Sequence, residues 1–256
     1  MLLLPTLLLS APAAVSTDAT VFMNKVLAHD AMGFSGTAEV DIRLTIRSPR
    51  GSLNKRRLQI ISSTLQGRQH SLVRFLAPAE LAGTGMLLRD EADGSSTQLM
   101  YQPSYDKIRP IASSNRSDRF MGTDFSYSDL EGSDSKDSHH RFLPDQKCGK
   151  ALCKQVESKP TSKERVKSTG YGRVVSLIHP TALVPMRTRF FGPDGKTELK
   201  VLTVKKLKKV DGRWMVTKAV MKDLKRGSAT QMEMLKLDRN KSFGAERFTE
   251  KALRSP

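Results

Sequence analysis

The sequence predicts a mainly β (α+β) fold built on one large, curved antiparallel sheet with few helices. Three observations carry that reading. Phe34 to Arg47 alternates apolar and polar residues with hardly a slip. Short apolar segments then follow at close spacing, separated by Gly, Pro and Asp turns. Helical spacing is confined to an N-terminal stretch, a mid-chain segment and the C-terminal end, which is scant cover for so much strand.

The elements can be justified in order. Met1 to Val15 is almost uncharged, with Leu runs at Leu2–Leu4 and Leu7–Leu9 before Ser10-Ala11-Pro12-Ala13-Ala14. An apolar core ahead of an A-x-A site predicts a secretory signal over 1–14, cleaved near Ala13, and a single β domain over 15–256. The basic residues that usually precede such a core are missing, and no Cys follows it to carry a lipid anchor. Asp18 is placed to cap a helix from about Ala19 to Met32, with Val21, Phe22, Val26 and Leu27 as its stripe and Gly33 as its end.

In the alternating segment Ala38, Val40, Ile42, Leu44 and Ile46 point one way. Glu39, Asp41, Arg43, Thr45 and Arg47 point the other, giving one buried and one wet face. Ser48-Pro49-Arg50-Gly51 turns into Leu53 to Leu65, and Gln66-Gly67-Arg68 into His70 to Leu76, which Pro78 stops. Met86 to Leu88 and Gln98 to Tyr101 flank the turn Ala92-Asp93-Gly94.

Ser117 to Glu131 breaks the rhythm. Phe120, Met121, Phe125, Tyr127 and Leu130 fall partly at helical spacing and predict a helical turn or lid over the sheet. Gly132 to His140 predicts a mobile polar loop, and Lys154 to Ser168 is too charged to assign. The meander resumes in Val174–His179, Met186–Phe191, Thr197–Lys209, Arg213–Leu224 and Thr230–Asp238. Its turns, Gly192-Pro193-Asp194-Gly195, Val210-Asp211-Gly212 and Lys225-Arg226-Gly227, have hairpin chemistry. Trp214, Val216 and Val220 share a predicted face, and Ala245 to Leu253 predicts a short terminal helix.

Charge and chemistry narrow the function. Forty-three basic against twenty-six acidic residues give +17. Lys205, Lys206, Lys208 and Lys209 precede Lys218, Lys222, Lys225 and Arg226 on the adjoining strand, so pairing would gather them on one face. That face reads as a solvated surface that discourages edge pairing, or as a patch for anionic lipid headgroups or an acidic partner. It lacks aromatics to stack on bases, which with export argues against nucleic acid. Cys148 and Cys153, four residues apart, suit a small disulfide loop in an oxidising compartment; zinc would need two more ligands. No nucleophile elbow, phosphate loop, zincin helix or dinucleotide fingerprint occurs. His139-His140 beside Asp134 and Asp137 is the nearest approach to a metal site and reads as a solvated loop. The expectation is a non-enzyme without metal or cofactor.

Met86, Met100, Met121, Met186, Met215, Met221, Met232 and Met234 fall mostly on predicted strands, and Met suits surfaces that take irregular apolar partners. If helices do not fill the concave face of the sheet, a hydrophobic ligand can. The expected inward-facing residues are Val40, Ile42, Leu44, Ile46, Leu58, Ile60, Phe75, Met86, Leu99 and Trp214, and the expected lid is Phe120, Met121, Phe125 and Tyr127.

Phe75-Leu76-Ala77-Pro78, Gly83-Thr84-Gly85, Tyr101-Gln102-Pro103 and above all the block from Arg109 to Leu130 (RPIASSNRSDRFMGTDFSYSDL) resemble exported proteins of the outer membrane lipoprotein-sorting family, with a LolA-like fold. The resemblance covers nearly the whole chain after the leader. It implies an incomplete antiparallel β-barrel, a half-barrel with helices as a lid over an apolar cavity. It further implies a periplasmic monomer that carries the acyl chains of a lipid or lipoprotein, in a branch whose members accompany transporters of the resistance–nodulation–division type. Adaptor work for such a transporter, through the basic face, is the alternative to carriage. The Cys148–Cys153 loop and the basicity depart from the family pattern.

Overall fold

A computed structural model describes residues 17–132 and 134–255; the expected leader lies outside them. Six strands come first: β1 (Ala38–Arg47), β2 (Leu53–Leu65), β3 (Arg68–Ala77), β4 (Gly85–Asp90), β5 (Ser96–Gln102) and β6 (Lys107–Pro110). Seven follow a long connection: β7 (Ser138–Cys148), β8 (Ala151–Pro160), β9 (Arg173–His179), β10 (Val184–Phe191), β11 (Glu198–Val210), β12 (Arg213–Asp223) and β13 (Ser228–Asp238). They form one sheet in the order β6-β5-β4-β3-β2-β1-β13-β12-β11-β10-β9-β8-β7. Two antiparallel meanders are thus joined where β1 pairs with β13, and the sheet stays open with β6 and β7 as its edges. The helices are α1 (Thr17–His29), α2 (Lys163–Thr169) and α3 (Glu250–Arg254). The open, mainly antiparallel half-barrel is the architecture expected from the sequence.

β1 follows its alternation: Ala38, Val40, Ile42, Leu44 and Ile46 are all buried, their neighbours half-buried or exposed. β2 to β4 are apolar on both faces. Leu58, Ile60, Val73, Phe75 and Met86 join the inner cluster with Val40, Ile42 and Leu44. Ile61, Leu72, Leu87, Leu99 and Tyr101 form a second cluster with Phe248 and Leu253 from the C-terminal segment. A strand covered on both sides carries adjacent apolar residues, such as Ile60-Ile61 and Met86-Leu87, instead of strict alternation. This corrects the placement of Leu99, which packs under α3 and not in the concavity. Gly85 allows that docking: a Cβ there would lie 2.8 Å from Cδ1 of the fully buried Leu253. Arg74 ties the same turn down by donating to the Ala252 carbonyl at 2.7 Å.

The structure departs from expectation most between Glu131 and Ser168. Instead of a mobile loop and an unassigned charged stretch, β7 and β8 make a long hairpin closed by the Cys148–Cys153 disulfide, with Cα atoms 5.8 Å apart. The register shifts between Leu143 and Gln146, around Pro144, which breaks the period-two pattern on an edge strand that can spare an N–H. On β8, Val156 faces α1 while Glu157 is buried on the other face, held by Arg141 at 2.5 Å and Arg173 at 3.5 Å. Neither Glu157 nor the segment's lysines advertise a strand.

Gly85→Val is expected to lower stability by about 1–3 kcal/mol through overpacking against Leu253, and to expose the C-terminal segment to early proteolysis. Denaturant titration and limited digestion check this.

Candidate functional site: a cavity beneath a cross-sheet strap

β6 and β7 lie at opposite edges of the sheet yet follow one another in the chain. Residues 111–137 must therefore cross from edge to edge, and the described ones, 111–132 and 134–137, do so as a strap over the concave face. The strap is not one helix. Its ordered turns are short 3-10 pieces, Ser113–Asn115, Phe120–Gly122, Ser128–Leu130 and Ser135–Asp137, and Met121, inside the second of them, adopts a left-handed φ of 47°. The expected helical turn or lid is thus made of single 3-10 turns and not of a continuous helix, and Phe120 and Phe125 bury against the inner cluster.

Polar bonds pin the strap. Asp124, fully buried, accepts from Ser228 Oγ at 2.5 Å and Thr230 Oγ1 at 2.6 Å, while its own N–H donates to Thr230 Oγ1 at 2.9 Å. Arg119 closes its charge from the strap itself at 3.2 Å. Arg56 of β2 donates to the Met121 carbonyl. Phe120 packs on Phe75 at 5.6 Å between ring centres and edge-on to Tyr127 at 5.7 Å. Further along, Glu131 lies between Arg116 at 2.9 Å and Arg165 at 3.4 Å and also accepts from Gln98. Burial raises its carboxyl above the ordinary range, against the pull of the two guanidiniums. Asp129 accepts from Tyr171 at 2.9 Å and stands 3.5 Å from Lys200. Burial, helped by the Asp129 charge, pushes the Tyr171 phenol well up.

Between strap and sheet lies a cavity of about 470 Å³. One wall is apolar: Ile42, Leu44, Leu58, Ile60 and Val73 from β1–β3, continued by Leu202, Met221 and Met232 from β11–β13. Phe120, Phe125 and Leu130 roof it, with Met23 and Val26 of α1 and Met32 just after. The other wall sets the hydroxyls of Ser158, Ser176 and Thr188 from β8–β10 among Pro160, Val174, Pro185 and Phe190, with His140, Glu131 and Arg165 near the strap. His140 is buried. Its Nε2 lies 3.0 Å from the Ser135 carbonyl, which can only accept, so Nε2 carries the proton and Nδ1 accepts from Ser158 Oγ at 2.8 Å. Burial lowers its pKa. His140 was expected in a solvated loop; it is a strand residue at the cavity wall.

Of the expected cavity residues, Ile42, Leu44, Leu58 and Ile60 line the space. Val40, Phe75 and Met86 lie in the inner cluster without reaching it, and Ile46 is buried elsewhere on β1. Of the lid residues, Phe120 and Phe125 line it, while Met121 and Tyr127 pack behind them. Trp214 is a correction: it is 39% exposed at the far end of β12, with Lys209 over its ring at 5.5 Å. Thr217 is an extra residue between the pairs Leu207–Val216 and Lys206–Lys218, and it flips the faces of β12. Val216 is therefore buried inside, with Ala219 and Met221 in place of Val220. The basic residues also separate: Lys206 pairs with Lys218, but Lys222 pairs with Val201 and Lys225 and Arg226 sit in the turn at the opposite end.

A protein-family model, described as an uncharacterized-protein-like family, matches residues 67–255. Among curated proteins none matches the sequence. The fold is similar to that of an outer membrane lipoprotein-sorting protein domain from Vibrio parahaemolyticus, at TM-score 0.83 and 22% identity over 93% of this chain and 99% of that one. A DUF1329 family protein from Desulfovibrio piger superposes at TM-score 0.85 and 20% identity, over 94% of this chain and 100% of the other. A LolA superfamily protein from Nitrosomonas europaea gives 0.73 and 16%, over 91% and 98%.

Asp124→Ala removes the carboxylate from two buried hydroxyls and is expected to destabilise the fold by about 3 kcal/mol, with strap sites exchanging hydrogen before the sheet does. For His140 the sign follows from a depressed folded pKa. The unfolded chain takes up a proton near the ordinary value of 6.5 while the folded chain does not, so this group's stabilisation is present above 6.5 and is lost as pH falls toward the lower folded value. His140→Gln is expected to flatten that part of the profile, read as denaturation midpoints from about pH 7 to 5.

Proposed function

Because the chain belongs to the family matched over residues 67–255 and has the open LolA-like sheet, we propose that it is an exported carrier that shelters the acyl chain of a lipid or lipoprotein. The observation that carries this reading is the two-sided cavity. Its volume of about 470 Å³ falls within the roughly 300–1,000 Å³ of ligand clefts. An acyl chain laid along the β1–β3 wall gains roughly 0.8 kcal/mol per methylene removed from water. The hydroxyls of Ser158, Ser176 and Thr188 suit the polar end of the same molecule, where a uniformly apolar pocket would leave that end unpaired. An amphiphile matches both walls.

Export to the periplasm is supported by the leader pattern over 1–14 and by the Cys148–Cys153 disulfide, which persists in oxidising compartments. In this reading the strap keeps water off the chain, and Asp124 and Glu131 hold the strap closed over it.

An apolar fluorescent probe tests the reading. The wild-type chain is expected to bind the probe and release it to added fatty acid, and lipid extracted from the purified protein should appear in mass spectra. Ser71→Trp and Leu88→Trp each project an indole into the cavity from a half-buried position. Each is expected to weaken probe binding by about tenfold or more, near 1.4 kcal/mol, with the melting temperature little changed. A wild-type chain that is lipid-free in repeated preparations and blind to the probe overturns the proposal.

A further inference from the structure

The β11–β12 hairpin extends past both of its neighbours. Pairing of β11 with β10 ends at Thr203, and pairing of β12 with β13 ends at Lys218. From Val204 to Thr217 the two strands therefore pair only with each other. This end of the hairpin carries Lys205, Lys206, Lys208, Lys209 and Arg213, with Asp211 as its one acidic residue. The four lysines are exposed, and among the described residues none of them forms an ion pair. Lys206 stands directly opposite Lys218, an arrangement that costs stability in a sheet.

The apolar residues of this ribbon are sorted. Met215 and Val216 are buried and Leu207 packs against the inner cluster. Val210 is half-buried beside the turn, and Trp214 is 39% exposed, with Lys209 above it. Edge protection accounts for the lysines; it gives no reason for an exposed indole beside them. The ribbon is also held firmly. His29 Nε2 lies 2.8 Å from the Trp214 carbonyl, Arg213 donates to the His29 carbonyl at 2.7 Å, and the Val216 N–H donates to Ala31 at 2.7 Å. Ala31 lines the cavity.

We propose that the tip of the β11–β12 hairpin docks the protein on an anionic lipid bilayer, with the lysines on the headgroup phosphates and the Trp214 ring at the headgroup level. The pairing of clustered cations with an amphipathic ring fits that boundary, where indoles concentrate and basic residues are drawn to negative lipid. A hairpin end that runs past its neighbours suits a flat, deformable surface better than a shaped protein pocket. The bond from β12 to Ala31 would bring the α1 side of the cavity toward the bilayer. The inference stands apart from the cargo reading, since the tip and the cavity can be tested separately.

Trp214 is the chain's one tryptophan, so its emission reports the tip directly. The full chain is mixed with phosphatidylcholine vesicles, with and without phosphatidylglycerol, at about 0.1 M and 1 M salt, which shortens the screening length from about 10 Å to 3 Å. Expected are co-sedimentation with the anionic vesicles at low salt only and a blue shift of the emission. Replacing Lys205, Lys206, Lys208 and Lys209 by Glu is expected to weaken binding by well over tenfold, at about fivefold per basic residue lost, without altering binding of the apolar probe. Lys222→Glu, Lys225→Glu and Arg226→Glu together change charge at the other end of the hairpin and should leave binding within about twofold. No binding to anionic vesicles, an unmoved Trp214 emission, equal loss in the far-end variant, or equally strong binding to a soluble acidic polypeptide with the same fluorescence response would overturn the proposal.

Discussion

The position of two strand edges governs most of this molecule. β6 and β7 are consecutive in sequence and farthest apart in the sheet. A connection between such strands has to run across the open side of the curve, so the strap follows from the topology. Its composition follows in turn. A segment lying over an apolar face must bury side chains downward while its own backbone polar groups find partners away from water. The strap meets the first need with Phe120 and Phe125 and the second with local turns, such as the Phe120 N–H donating to the Phe125 carbonyl at 2.8 Å.

The same constraint explains why charged residues are buried at the strap and not in the sheet's inner cluster. The apolar cluster has no direction and would tolerate the strap in several positions. Asp124, with two hydroxyls and a backbone N–H arranged around Thr230, fits one position only. Glu131 between Arg116 and Arg165 fixes the other half, joining the strap to α2. Such pairs add little net stability against well-packed apolar substitutes, yet removing one partner is costly. They set register, and a cavity survives beneath because the strap cannot sink into it.

How much of this could be read from the residues depends on how many faces each strand buries. β2 was legible to the residue and β1 at its C-terminal end, though β1 begins at Ala38 and not at Phe34, since β1 has one wet face and its turn chemistry is strong. Leu99 was misplaced because β5 is covered on both sides, and period two cannot say which side faces the concavity. Trp214 kept the predicted parity with Val216, but parity carries no information on where the neighbouring strands stop. β7 and β8 escaped because Pro144, a register shift and the outward-buried Glu157 erase the alternation. The strap's aromatic spacing resembled a helix, while Met121 in a left-handed conformation interrupts any helical run. The apolar wall of the cavity was partly visible from β1 and β2. The wall that carries the hydroxyls was not, because Ser158, Ser176 and Thr188 come from three strands and meet only in the fold.

An open half-barrel keeps its concavity accessible at the cost of two free strand edges, which are templates for unwanted pairing. Both edges here are blunted, with proline the means they share. β6 is only four residues long, ends in Pro110 and carries Lys107 and Arg109. β7 is long, but Pro144 removes a donor midway, the register breaks beside it, and the disulfide pins the hairpin it forms with β8. Full closure would abolish these edges, and with them the gap that the strap spans. Proline, charge and a cross-link let the sheet remain open, and the cavity depends on that opening as much as on the apolar residues that line it.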